Sequence, residues 1–347
     1  MSYTVTIAGD RDLDEWQPFA APRAPDNPML DAAWYHILGE AFSVERLFLM
    51  CRDGEGAVAG LTPLYFSRSA FTGRHLASLD QGWCARDGAA ANALLNKAIS
   101  LRNRLGARYL LLRGAEGMND RADRVVPYVH RIIDTARPTE AILREIRRKS
   151  RYRYIRRASE NGFTVEEDRD LSKLDLFYHI YARHMRDLGT PVMAIAYMRA
   201  LKRHFGGSRL KLFFVCREGR EVGGMLCLAS PTCWLDMYAV VRTDLLTQYP
   251  NYLLYWSAIE AAAHAGVPKF DLGRSHAASN AHLFKSKWPG VDRAVLHGYF
   301  ADDIRAIPNR LERIRSQDSL LQRGWKHVPV PVANLLGPKL RDQLPFG

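Results

Sequence analysis

Cysteine is scarce in this sequence of 347 residues: Cys51, Cys84, Cys216, Cys227 and Cys233 form no C-x-x-C pair and mostly sit in apolar, strand-like runs. They read as buried free thiols, not as a disulfide framework or a metal site, and no metal is expected. Long apolar runs are lacking too, since none approaches the roughly 18 residues that span a bilayer. The opening residues, Met1 to Asp10, do not follow the basic, apolar, small-residue order of a signal peptide, so a soluble cytoplasmic protein is expected. No G-x-S-x-G elbow, P-loop, H-E-x-x-H or G-x-G-x-x-G after a strand occurs, which weighs against hydrolase, kinase and dehydrogenase chemistry and against a permanently bound cofactor.

Acid is the other shortage. Against 49 Lys and Arg stand 37 Asp and Glu, a formal net charge of +12, with a pI near 9.6. A field of that sign concentrates phosphates, so RNA, CoA, nucleotide-sugars and anionic lipid surfaces are all candidate partners. Much of the charge gathers in one stretch, Arg144-Glu-Ile-Arg-Arg-Lys-Ser-Arg-Tyr-Arg-Tyr-Ile-Arg-Arg157. Leu143, Ile146, Ser150, Tyr154 and Ala158 recur there at spacings of three and four, which predicts one helix with an apolar stripe and guanidinium groups on its remaining faces. Such a face serves either phosphate contacts or solvation alone.

Ahead of that stretch, Arg46-Leu-Phe-Leu-Met-Cys-Arg-Asp-Gly54 and Ala57 to Phe66 read as a hairpin, followed by a helix from about Ala89 to Leu105, a closing Gly106 and the strand Tyr109 to Leu112. Behind it the order returns. Lys211-Leu-Phe-Phe-Val-Cys-Arg-Glu-Gly219 matches the first arm almost residue for residue, with a return strand at Glu221 to Leu228, a helix at about Asn251 to Ala265, a closing Gly266 and a strand at Lys269 to Leu272. The shared succession and similar spacing predict two copies of one α/β unit. An additional strand, Thr232 to Val241, is expected in the second copy alone. Downstream, Leu283 to Trp288 reads as a helix turn, Ala294 to Phe300 as a strand, Ile304 to Gln322 as a polar helix, and Gly324 to Gly347 as an irregular proline-rich strap or a membrane-surface contact.

The informative chemistry lies in Phe270-Asp-Leu-Gly-Arg-Ser-His-Ala-Ala-Ser-Asn-Ala-His-Leu-Phe-Lys-Ser-Lys-Trp288. A buried strand is expected to stop at Gly273, placing Arg274 where an α/β sheet opens its ligand crevice. Phe284 and Trp288 share a helical face, so Lys285 borders the core while Lys287 points to water. A lysine so anchored either stabilises an oxyanion, which is typically worth about 2.7–4 kcal/mol, or simply snorkels. Asp236 is a candidate general base or a paired structural carboxylate. His276 and His282 are candidate proton relays or packing residues, and Tyr178, Tyr181 and Arg186 line a cleft or a core; Asp271 reads as structural.

The strand, strand, strand, loop, helix, strand order of the second copy resembles the core of a GNAT acyltransferase unit. More specifically, four stretches resemble the Fem-type branch of that superfamily, closest to its exopolysaccharide-associated members. They are Arg147 to Gly162, Phe177 to Val192, Pro250 to Ala258, and D-L-G-R-S followed by F-K-x-K-W. The resemblance implies transfer of an acyl or aminoacyl group, from acyl-CoA or aminoacyl-tRNA, to an amine of a cell-envelope or exopolysaccharide precursor. It implies Lys285 as the oxyanion group, and phosphate contacts from the basic helix and the G-R-S turn: Arg147, Arg148, Arg151 and Arg274. Two departures stand out. The loop Arg242 to Pro250 has no glycine with which to grip a pyrophosphate, which departs from acyl-CoA-dependent GNAT units though Fem-like proteins commonly lack it too, and Asn280, Ala281 and His282 replace the glycine and tyrosine the resemblance leads one to expect.

The resulting expectation is an α/β chain of two tandem GNAT-like units, each a mixed, mostly antiparallel sheet flanked by helices, with a basic helix between them. Its divisions are 1–137, a connecting helix at 138–162, 163–300 with the active site, and a tail at 301–347. Lys285, Asp236 and His282 are the catalytic candidates. Arg147, Arg148, Arg151, Arg274, Tyr178, Arg186 and Tyr252 are the substrate- or phosphate-binding candidates. Partners are a phosphate-bearing or lipid-linked substrate, tRNA, and the inner face of a membrane. A non-catalytic RNA-binding or membrane-surface module on a GNAT scaffold is the alternative.

Overall fold

Near-continuous apolar runs on both sides of Gly54, buried on both strand faces, produce the first hairpin. In this computed structural model, which describes residues 2–70, 72–114, 117, 119–303, 305, 307 and 320–343, two compact units are present. One comprises Met1–Pro127, Val295–Gln322 and Leu336–Gly347, the other Tyr128–Ala294 and Arg323–Leu335. The first opens with β1 (Thr4–Ile7), α1 (Leu13–Arg23) and α2 (Ala33–Ala41), then the hairpin β2 (Glu45–Arg52) and β3 (Val58–Ser69). There follow β4 (Gly73–Ser78), the short β5 (Cys84–Ala85), α3 (Gly88–Arg104) and β6 (Tyr109–Arg113). Helix α3 starts where the Asp87 side chain accepts from the Ala90 amide, and ends at Gly106 with φ +60, the left-handed conformation that suits glycine after a helix.

In the second unit the order is β7 (Arg124–Asp134, from Tyr128 onward), α4 (Thr139–Arg148), α5 (Tyr152–Glu160), β8 (Phe163–Glu167), α6 (Leu174–Asp187) and α7 (Ile195–Arg209). Next come the hairpin β9 (Leu210–Arg217) and β10 (Arg220–Ala229), then β11 (Cys233–Val241), α8 (Pro250–His264), β12 (Lys269–His276) and α9 (Asn280–Lys285). Strand β13 (Val291–Phe300) returns to the first unit at Val295, and two helices close the described chain, α10 (Leu320–Trp325) and α11 (Val330–Arg341). The strands of the first unit are ordered β1-β2-β3-β4-β6-β13, and those of the second β7-β12-β11-β10-β9-β8.

Both units share one topology: an antiparallel three-strand run whose last strand pairs parallel with the strand after the helix. In the first, β3 pairs antiparallel with β4, and β4 pairs parallel with β6. In the second, β10 pairs antiparallel with β11, and β11 pairs parallel with β12. The third strand expected only in the second copy is therefore present in both. Gly73-Arg-His-Leu-Ala-Ser78 hides it, because the strand is buried on both faces and carries His75 on one and Ser78 on the other among apolar residues.

The single basic helix expected over Arg144 to Arg157 is instead two, and the reason is geometric. Ile146 and Ile155 are nine residues apart, so a continuous helix would turn them about 180° from each other. Breaking the helix lets Ile142, Ile146, Ile155 and Ala158 all enter one core with α8 and the second sheet. The break is a Schellman-type cap: Ser150 takes φ +56, its amide donates to the Arg147 carbonyl at 2.8 Å, and the Arg151 amide to that of Ile146 at 3.0 Å. Other expectations shift as well. The tail forms α11 where an irregular strap was expected, since Pro331 falls in its first turn, where no amide is needed. The polar helix expected at 304–322 lies almost wholly outside the described residues. All five cysteines are buried and free. No helix among the described residues is long and apolar enough to cross a membrane.

Candidate active site

Two adjacent strands of the second unit are disturbed at the same level, and the candidate site sits there. The parallel register of β11 with β12 runs only from Cys233↔Lys269 to Leu235↔Asp271. Just beyond, Asp236 and Tyr238 of β11 face consecutive residues of β10, Cys227 and Leu226, which leaves Met237 as a bulge. On β12, Asp271 and Arg274 face Ile132 and His130 of β7, so two residues, Leu272 and Gly273, oppose Arg131 alone. Bulges of this kind re-aim side chains and free backbone groups from the ladder. The strand does not stop at Gly273, as the apolar run suggested, because β7 supplies a partner as far as His276. β7 itself carries no recognisable strand pattern, with His130 and Arg131 in its middle.

Gly273 is needed at the bulge. Its φ is +73, and a Cβ there would lie 2.5 Å from the Asp236 carbonyl oxygen; both facts exclude other residues at low cost. The conformation is held by Asp271, whose Oδ1 accepts from the Gly273 amide at 2.8 Å and whose Oδ2 is 2.8 Å from His130 Nδ1. With the peptide so fixed, the carbonyls of Gly273 and Arg274 accept from Lys285 Nζ at 2.8 and 3.3 Å. An ammonium has three protons, so one remains for a ligand.

Lys285 ends α9, which the Ser279 hydroxyl caps by accepting from the His282 amide. Phe284 beside it and the buried Trp288 meet Tyr252 and Tyr255 of α8, with ring centroids 5.2–5.9 Å apart. This stack fixes the turn and leaves Lys285 half-buried while Lys287 is exposed. Burial lowers the Lys285 pKa, against the attraction of Asp236 and Asp271. Asp236 is the buried counterpart: its Oδ2 accepts from the Tyr255 hydroxyl at 2.8 Å, while Oδ1 is buried with no hydrogen-bond partner. Burial pushes its carboxyl up to about 6, despite the opposing pull of Lys285 and of the Tyr255 hydrogen bond. Ionised, this carboxylate can take a proton, and the unfilled Oδ1 is the place for it.

The other candidates divide. Arg274 belongs to the same cluster through its carbonyl, and its guanidinium lies over the Tyr128 ring at 5.0 Å. His282 turns toward Asp292, 3.7 Å away. Tyr252 extends the aromatic stack to Tyr154 of α5, 4.9 Å distant, and Arg151 and Arg153 lie over the Tyr154 ring at 5.6 and 4.8 Å. Arg147 lies over Tyr152, and Arg148 is exposed, 4.0 Å from Glu145. Lys149, at the helix break, donates to the Trp288 carbonyl at 3.3 Å, as Arg131 does at 2.8 Å, so the basic stretch is tied to the Lys285 turn. Tyr178 and Arg186 are engaged differently: Tyr178 is buried and donates to the Met193 carbonyl, and Arg186 pairs with Asp187 and donates to the Lys326 carbonyl.

Sequence reasoning alone misses Tyr255 and the pairing of His130 with Asp271. Tyr255 stands three residues after Tyr252, on the same side of α8, and that spacing is the available signal. His130 has none, because β7 is not legible. In the first unit, Ser78 follows the parallel register Ala77↔Leu111 on one strand, and Leu112 and Arg113 follow it on the other. The buried Arg113 guanidinium donates to the Ser78 carbonyl and feels the nearby Asp80 carboxylate, so serine stands where the second unit has Asp236.

Comparison with known proteins agrees with the topology. A family model of the acetyltransferase (GNAT) domain matches residues 145–285. No curated protein matches the sequence. Among solved structures, FemX is similar at 12% identity with a TM-score of 0.62, covering 92% of this chain and 100% of that one. A tandem GNAT protein from the clavulanic acid biosynthesis pathway is similar at 12% identity, TM-score 0.58, covering 89% and 100%. L-PGS from Bacillus licheniformis is similar at 13% identity, TM-score 0.54, covering 89% and 97%. The chain has the fold of tandem GNAT proteins, and the segment that the GNAT domain model matches includes Asp236 and Lys285.

Proposed function

We propose that the chain transfers an acyl or aminoacyl group from an ester or thioester on a phosphate-bearing carrier, aminoacyl-tRNA or acyl-CoA, to an amine. The observation that carries this reading is the Lys285 ammonium, fixed by two backbone carbonyls and left with one free proton, with a buried carboxyl, Asp236, that burial pushes up to about 6. The acceptor nitrogen attacks the acyl carbonyl carbon, and the oxygen that gains charge is met by Lys285, a donor typically worth about 2.7–4 kcal/mol at the transition state. Asp236 Oδ1 takes the proton the nitrogen sheds, and collapse of the tetrahedral centre breaks the bond to the carrier, which leaves with its electron pair and is protonated. His282 stays outside this sequence of steps. The GNAT domain match supports the reaction class. The Fem-type motifs support a cell-envelope precursor as the acceptor.

Phosphate contacts are assigned to Arg147, Arg148 and Arg151. The loop before α8 supports this assignment: Thr243–Gln248 forms a 3-10 turn, Tyr249 is left-handed, and Pro250 at the first helical position has no amide to offer. A backbone grip on pyrophosphate is thereby weakened, and side chains must supply the charge. The test is titration of the purified protein with acetyl-CoA and with charged tRNA at two salt concentrations. A tRNA donor predicts a fall in log affinity with log salt of slope about 0.7–0.9 per phosphate held, and a CoA donor a shallow one. Absence of binding and of transfer from both donors would refute the proposal.

A further inference from the structure

Among the described residues, helix α11 (Val330–Arg341) has one face buried in the protein and one exposed. Ala333 is 2% exposed and Gly337 is buried, whereas Val332, Leu335 and Leu336 are 42%, 70% and 43% exposed. At about 100° per residue, Val332, Leu335, Leu336 and the exposed Lys339 fall within an arc of roughly 100°. Three large apolar side chains and one cation thus share a single stripe, at spacings that fit a flat surface better than a pocket.

The charge around the stripe selects what covers it. Residues 323–343 contain Arg323, Lys326, Lys339 and Arg341 against one carboxylate, the half-buried Asp342, whose pKa burial raises, within a chain of net charge +12. Lys326 and Lys339 are both exposed. A second copy of this chain would bring the same cations against one another. An anionic lipid surface instead satisfies both features, because apolar side chains enter the acyl boundary while lysines remain among negative headgroups. No spanning helix exists among the described residues, so the contact is peripheral.

We propose that α11 is a membrane-docking helix that lays Val332, Leu335 and Leu336 into the surface of an anionic bilayer. The inference does not rest on the acyl-transfer reading. The full chain is sedimented with vesicles of phosphatidylcholine alone and of phosphatidylcholine with phosphatidylglycerol, at low and high salt. Binding is expected to the anionic vesicles and to weaken with salt. The double variant Leu335→Ser/Leu336→Ser lowers the partition coefficient about tenfold or more. Lys326→Glu/Lys339→Glu loses preference for the anionic vesicles. Leu188→Ser, which removes an exposed leucine of the α6 terminus, binds as the unaltered chain does. All substituted side chains are exposed, so unchanged circular dichroism and melting are expected. Failure of the unaltered chain to bind anionic vesicles overturns the proposal, as does equal binding by the serine double variant. A dimer in solution that this variant dissociates would assign the face to a second copy and overturn it too.

Discussion

Asp236→Asn isolates the cost of keeping an ionised carboxyl in the site. In the fold the group titrates near 6, against about 3.9 for an unstructured aspartate. A carboxyl raised in this way adds stability that is complete below the unfolded pKa and is lost as pH rises through the folded one, because the native state resists losing the proton. Asparagine resembles the protonated form and never ionises. Relative to the unaltered protein, the variant is expected to gain about 1.5 kcal/mol at pH 5 and about 3 kcal/mol at pH 8, with the gain levelling above pH 7. Urea unfolding of both proteins, followed by circular dichroism between pH 5 and 8, measures this difference directly. The pH dependence of the difference is the diagnostic part, since any fixed effect of replacing oxygen by nitrogen cancels from it. The same variant loses transfer activity, so stability and activity move in opposite directions. A difference that does not change with pH, or that shrinks as pH rises, would refute the assignment of Asp236 as a buried, half-satisfied carboxyl.

Three further outcomes follow from the geometry. Tyr255→Phe removes a hydrogen bond that favours ionised Asp236, so the acidic limb of the pH–rate profile moves upward from its position near 6. Gly273→Ala forces a side chain into a left-handed residue against the Asp236 carbonyl, and destabilisation of about 1–3 kcal/mol with loss of activity is expected from thermal melting and turnover. Neutralising Arg147, Arg148 and Arg151 together weakens donor binding and flattens its salt dependence by about 0.7–0.9 for each phosphate no longer held. Unchanged salt slope in that variant would return those arginines to the role of a solvated face.

How much of this is legible in the sequence depends on whether local chemistry or distant partners set each element. The two hairpins, α3 with its Gly106 stop, and α8 follow from apolar runs and punctuation, and the structure has their ends within three residues. Strands β4 and β7 are hidden because each buries polar residues, engaged by a local turn in β4 and by a distant partner in β7. His75 approaches Thr72 and stacks on Tyr109, and His130 pairs with Asp271, 141 residues later. The break at Ser150 is concealed by the use of serine where glycine usually marks a left-handed cap. At the site, the half-buried position of Lys285 and the exposure of Lys287 follow from helical spacing to Phe284 and Trp288. The two bulges do not, since they arise from strands whose registers no single segment encodes. Without the bulges, neither the Gly273 carbonyl nor the open Asp236 oxygen could be anticipated.

The central claim is that the Lys285 ammonium stabilises charge on the acyl oxygen. Lys285→Met keeps most of the length of the side chain and its packing beside Phe284 and Trp288 while removing the charge and its three protons. Single-turnover transfer from a bound acyl donor, with donor affinity measured on the same samples, separates chemistry from binding. A rate lowered by about 10²–10³-fold at unchanged affinity is the expected result. A rate within a factor of about 3 of the unaltered protein, less than about 1 kcal/mol of barrier, would contradict the account.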